Sequence, residues 1–253
     1  MNKMNREYDR RLLKFEKIGK MKFIGHLDLL RIFQGAIRRA KLPIAYSNGF
    51  NPHQKMVFAL PLPLGMQGTS EYLELFFDKS DKLDKLDRTD KSTKNEVDIF
   101  ALNDYLPTGL RILECYEISE KTPGPAGAVK AAEYRLIFDG IQNTAPYLQQ
   151  LLASPQIIAL KKTKKAVKET DIRPDIFALK LESGETAIYM HLSAGSGRNL
   201  NPLLVASQIF DKMGIVMPEH EISITRGNLF ACINENAEYS LENSRFLWQI
   251  KEF

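Results

Sequence analysis

Apolar residues recur along this chain in two periods. Between residues 26 and 40, Leu27, Leu30, Phe33, Ile37 and Ala40 are spaced three or four apart, the period of an amphipathic helix. Asp28 falls in its first turn and Arg38, Arg39 and Lys41 at its end, both favourable to the helix dipole. Leu42-Pro43 stops it. Short apolar or alternating runs bounded by Gly, Pro and Asn predict strands at 10–18, 44–47, 56–60, 71–77 and 110–118. A Lys/Asp/Ser/Thr-rich segment, 78–96, leads into a second helix over 97–105. The resulting order, β-α-β-β-α-β, is that of a ferredoxin-like unit.

The pattern then restarts. Residues 121–128 hold two Pro and two Gly and read as a linker. Strands follow at 133–138, 156–160, 176–181, 186–192 and 221–225, with Ser183-Gly184 as a hairpin signal. Helices are expected at 144–153, with Thr144 as cap, and from Pro202 to about 213, with Asn201 as cap. The expected fold is α+β, two tandem ferredoxin-like halves with antiparallel sheets: 1–120, a linker at 121–130, and 131–253 including a tail.

Composition adds a polarity to this picture. Residues 1–60 carry 13 Lys/Arg against 4 Asp/Glu, and the rest of the chain 22 against 27. A basic first third points to a polyanionic partner, or to a merely solvated face. At 44% hydrophobic and 26% charged, the chain is not a disordered one. The most apolar run, 57–66, is broken by Pro61 and Pro63 and is too short for a bilayer, so no membrane association is expected. The start of the chain is polar, without the apolar stretch of a secretion signal, and Cys115 and Cys232 are far apart, which together predict a reducing cytoplasm. No Cys cluster or zinc spacing occurs, so neither a metal nor another cofactor is expected in this chain itself.

Residues able to carry chemistry fall in four places. His26 and Asp28 at the helix start, with His53, are candidates for acid–base work, although residues two apart on a helix do not face each other. The turn Asn48-Gly-Phe50-Asn-Pro52-His53-Gln-Lys55 could bring backbone amides and Lys55 to an anion while Phe50 stacks on a base, or could bury Phe50 in a plain turn. Lys161, Lys162, Lys164 and Lys165, followed by Arg173, form a phosphate-tracking stripe or a lysine-guarded edge strand. With Arg38 and Arg39 these residues make up the expected RNA contacts. Finally, Gly195, Gly197, Arg198 and Asn199 precede a helix and form a generic anion loop, without the Walker A spacing.

Several of these stretches resemble a known family. Lys22-Phe-Ile-Gly-His26-Leu-Asp28-Leu-Leu-Arg31, Ile37-Arg-Arg-Ala40, Pro43-Ile-Ala-Tyr46-Ser-Asn-Gly-Phe50-Asn-Pro52-His-Gln-Lys55 and Leu62-Pro-Leu-Gly65 are similar to a bacterial family of unknown function whose members occur fused to, or encoded beside, radical SAM proteins. The family pattern has Ser where this chain has Gly25, and Arg or Glu-Arg where it has Gln34-Gly35. The resemblance implies an accessory role beside a separate radical SAM enzyme, presenting a substrate or binding RNA or ribosomal components. Two further expectations compete with it: a metal-independent RNA endonuclease using His26 or His53, and a protein–protein adaptor that binds no nucleic acid.

Overall fold

The alternation at the start of the chain forms a strand, β1 (Tyr8–Lys17), followed by α1 (His26–Arg39), β2 (Met56–Phe58), β3 (Gln67–Asp78) and β4 (Leu110–Ile118). The structure is a computed structural model and describes residues 8–78, 97–162, 167–184, 186–218, 220–233 and 238–252. The chain divides into two units, one of residues 1–127 with 248–253 and one of 128–247.

In the first unit β1 pairs antiparallel with β3 and with β4. Leu73 of β3 pairs with Leu13 on one side and with Phe58 of β2 on the other, so the order is β4-β1-β3-β2. Alternation places Leu13, Phe15, Leu73, Leu75 and Phe77 on one sheet face, where they receive Leu29, Phe33, Ala36 and Ile37 of α1. Phe33 meets Phe15 and Phe58 edge to face. The helix is where the periodicity predicts it, but its buried face is rotated. Leu27 is 65% exposed and Leu30 only half-buried. Three leucines near the helix start, Leu27, Leu29 and Leu30, can each continue an i, i+3, i+4 stripe, and the buried stripe is the one through Leu29, Phe33, Ala36 and Ile37.

Two other expectations are corrected here. The predicted helix at 97–105 is a 3-10 helix, Ile99–Asp104, started by Asp98 accepting from the Phe100 amide. Its buried residues, Ile99 and Leu102, are three apart, the 3-10 repeat, and Pro107 closes the segment. The strand at 44–47 reduces to isolated bridges, Ile44 to Phe77 and Tyr46 to Gln54.

The second unit holds α2 (Pro125–Ala128, its last residue only), β5 (Ala131–Ile137), α3 (Ala145–Ala153), β6 (Ile158–Lys162), β7 (Val167–Asp171), β8 (Ile176–Leu181), β9 (Ile188–Ser193), α4 (Pro202–Met213), β10 (Ser223–Cys232) and β11 (Ser244–Phe246). Its sheet runs β10-β5-β9-β8, with β11 beside β10. The strand expected at 156–160 is β6. It pairs with β7 as a separate two-stranded sheet instead of joining the larger one. Asn201 caps α4 by accepting from the Leu203 amide, as Asn-Pro predicts. Thr144 occupies the N-cap position of α3, as expected, but its side chain makes no capping bond: the hydroxyl donates to the Ile141 carbonyl. The described chain is thus mixed α/β, with mostly antiparallel pairing and few helices. No helix among the described residues is long and apolar enough to cross a membrane.

Candidate functional site

The 46–55 turn is built outward from β3. The Ala45 amide donates to the Phe76 carbonyl, and the Lys55 amide donates to the Ala45 carbonyl. The turn is closed by the Ser47 amide donating to the His53 carbonyl, by the His53 amide donating to Ser47 Oγ (3.1 Å), and by a bond between Ser47 Oγ and His53 Nδ1 (2.9 Å). Gly49 has φ +123, a conformation that disfavours side chains, and lets the chain reverse. Phe50 stands at the tip with its ring fully exposed. An aromatic ring held out by a hydrogen-bonded turn is ready to stack on a planar group.

Lys55 leaves the turn half-buried. Its ammonium lies 3.7 Å from the Tyr8 ring centroid and 4.9 Å from that of Phe76, a double cation–π contact. Its charge also faces Glu74, which is bonded to Arg10. Burial raises the Glu74 pKa despite that guanidinium. Arg10 in turn donates to the carbonyls of Ser119 and Thr122, anchoring the segment after β4. At the end of α1, Arg38 and Lys41 are exposed. Arg39 is exposed too, with Nη2 donating to the Tyr105 carbonyl at 2.7 Å. Lys41 adopts φ +53, which reverses the chain toward the 46–55 turn.

The acid–base candidates are separated. His26 is the first residue of α1 and packs edge-on against Phe58, ring centroids 5.2 Å apart. Asp28 is paired with Arg31 on the exposed side of the helix. His53 bonds to Ser47. Among the described residues no hydrogen bond joins these three groups to one another. The structure does bring together segments of the resemblance motif: the Gly65 amide donates to the Lys22 carbonyl, so the loop carrying exposed Leu64 adjoins exposed Phe23, one turn before exposed Leu27.

In the second unit Lys161 is exposed on β6 directly opposite Lys168 of β7. Lys162 pairs with Val167, and Lys164 and Lys165 lie outside the described residues. Arg173 is turned into its own unit, donating to the Leu152 and Ile176 carbonyls. Gly195 has φ +130, and a Cβ there would lie 2.2 Å from the Val129 carbonyl oxygen, so close backbone packing requires glycine. Gly197 has open space around it, Asn199 is exposed, and Arg198 pairs with Asp175 at 2.8 Å.

One polar cluster was not assembled from the sequence. His191 on β9 is buried, with Nε2 at 2.6 Å from the Tyr239 hydroxyl and Nδ1 at 3.2 Å from the Tyr189 hydroxyl. The Tyr189 hydroxyl donates to Glu133 Oε1 (2.9 Å), and Asn228 donates to Glu133 Oε2 (2.8 Å). Because Tyr189 gives its only hydroxyl proton to the carboxylate, its oxygen accepts from Nδ1–H. Nε2 is then the acceptor for Tyr239. Burial drops the His191 pKa to about 4, against an opposing pull from Glu133, so the ring is neutral at pH 7. The directions of all these bonds agree, so the cluster is satisfied in a single arrangement of protons. The signal in the sequence was weak: Tyr189 and His191 share a strand face by their two-residue spacing, and Glu133 meets His191 only through the β5–β9 register.

A mixed α/β chain with antiparallel sheets, an exposed aromatic turn and separated histidines defines no single enzyme class. The chain belongs to the family described as an uncharacterized protein conserved in bacteria (DUF2344), whose model matches residues 10–202. The match spans the 46–55 turn and ends at the first residue of α4. No match is found among curated proteins.

Proposed function

We propose that this protein is an RNA-facing accessory module that binds single-stranded RNA and presents it, or a ribosomal substrate, to a separate radical SAM enzyme. The observation that carries the RNA half is Phe50. Its ring is fully exposed on a turn closed by Ser47 and His53, in a segment that also supplies Lys55 and follows the exposed cations ending α1. Aromatic platforms beside cations bind single strands through stacking and phosphate contacts. The radical SAM half rests on the resemblance carried by the 22–31, 37–40, 43–55 and 62–65 stretches. In this reading the iron–sulfur cluster belongs to the partner. The strand orders β4-β1-β3-β2 and β10-β5-β9-β8 support two ferredoxin-like units, the second with the β6–β7 hairpin inserted. Cys115 and Cys232 are thiols and not joined in a disulfide, which supports a cytoplasmic location.

The exposed Phe23, Leu27 and Leu64 favour a second reading, a protein–protein adaptor. Incubation of labelled single-stranded RNA with the purified protein separates the readings. Binding without cleavage supports the accessory module. Cleavage lost on His26→Ala or His53→Ala replaces it with a nuclease, and neither binding nor cleavage replaces it with the adaptor.

A further inference from the structure

A groove of about 650 Å³ runs beside α1, lined by Arg31, Ile32, Gly35 and Arg39 of the helix and, across from them, by Ile24 and Tyr105 among others. Gly35 lies in the interior of a 14-residue helix, where glycine is the least favourable residue after proline. Packing does not demand it: a Cβ there would meet only the Arg39 guanidinium, at 3.9 Å, an ordinary contact. The missing side chain leaves a notch on one i, i+4 ridge between Arg31 and Arg39, whose Cα atoms are about 12 Å apart along the axis.

The groups at the ends of this notch are complementary to a phosphorylated, planar ligand. Arg39 is fixed by the Tyr105 carbonyl and lies 5.9 Å from the Tyr105 ring centroid, yet that carbonyl takes only one of its N–H donors. Among the described residues Arg31 is held only by Asp28, an exposed pair that exchanges readily for another anion. Asp104 also lines the groove; it disfavours a purely anionic ligand but can accept from a base amino group or a ribose hydroxyl. Between them Ile24, Ile32 and the Tyr105 ring form an apolar floor.

We infer that this groove is a nucleotide subsite, with Arg31 and Arg39 on the phosphates, the base on the floor beside Tyr105, and Gly35 providing the space. Where the nucleotide is part of a strand, the inference rests on the RNA reading above; a free nucleotide has the same chemistry.

The test compares wild-type protein, Gly35→Gln, Gly35→Ala and Phe50→Ala in binding a short single-stranded RNA and 5′-AMP. Gly35→Gln fills the notch while improving helix propensity, so Tm should rise by about 2 °C and RNA affinity should fall about tenfold or more. Gly35→Ala adds one methyl and should keep affinity within about twofold while also raising Tm. RNA affinity unchanged in Gly35→Gln but reduced in Phe50→Ala overturns the groove and leaves the RNA reading standing. Wild-type binding of 5′-AMP but not RNA, lost in Gly35→Gln, overturns the RNA reading and assigns the groove to a free nucleotide. Binding of neither probe overturns both.

Discussion

The two units share a strand order but differ in where each places one group of aromatic and polar residues. The first unit turns Phe50, Phe23 and the cations ending α1 outward. The second turns Tyr189, His191 and Tyr239 toward one another, so that each ring nitrogen of His191 has a hydroxyl partner. An exposed ring gains stacking energy only when a ligand arrives, whereas a buried network is satisfied within the fold and holds one protonation state. The same strand order therefore carries an exposed aromatic turn in one unit and a closed hydrogen-bonded cluster in the other.

The comparison breaks most sharply inside the first unit. Phe33 is fully buried against Phe15 and Phe58, and Phe33→Ala should destabilise by about 3–5 kcal/mol. Leu27→Ala, on the exposed side of the same helix, should change stability by less than about 0.5 kcal/mol. Denaturant unfolding of both variants measures the contrast, and equal effects would show that α1 presents a different face.

A smaller effect sharpens the second unit. The folded-state pKa of His191 is depressed to about 4 from 6.5 by burial. Between those values the unfolded chain binds the proton and the folded one does not, so stability rises with pH across this window and is lost as pH falls through it. The loss amounts to about 3 kcal/mol in full. Unfolding measured from pH 7 down to pH 4 should show this slope, and His191→Gln should flatten it. Glu133→Ala leaves the Asn228 amide and the Tyr189 hydroxyl without their acceptor and should destabilise by about 1–3 kcal/mol. It also frees Nδ1 from its fixed donor role, which the nitrogen chemical shifts of His191 would register as a mixture of tautomers.

Local features were legible where one physical signal dominated. Asn201-Pro202 marked a helix start because the side-chain cap and the pre-set proline act together. The β4 strand ran where its apolar residues ran. The face of α1 is ambiguous in the sequence because Leu27, Leu29 and Leu30 offer competing stripes, and Ala36, which belongs to the buried one, carries little hydrophobic signal. The segment at 97–105 is too short, and its apolar residues too contiguous at 99–102, to separate a 3.0 from a 3.6 repeat. For the site, the exposure of Phe50 followed from Gly49 and Pro52 only as one of two outcomes, and the structure selects the exposed one. The Glu133–His191 network was invisible because it depends on strand register, which no local pattern records. The glycines of the 195–197 loop looked like an anion cradle, yet Gly195 is required by the approach of the Val129 carbonyl.

The central claim, that the outward-facing side of the first unit binds a single strand, is tested most directly by a salt titration of RNA affinity in the wild type and in Phe50→Ala. Phosphate contacts from Arg38, Arg39 and Lys55 predict a slope of log K against log salt near −2, about −0.7 per contact. Phe50→Ala should weaken binding by about 1–3 kcal/mol while leaving that slope unchanged, because stacking releases no counterions. Salt-insensitive binding, or wild-type affinity in Phe50→Ala, would contradict the claim.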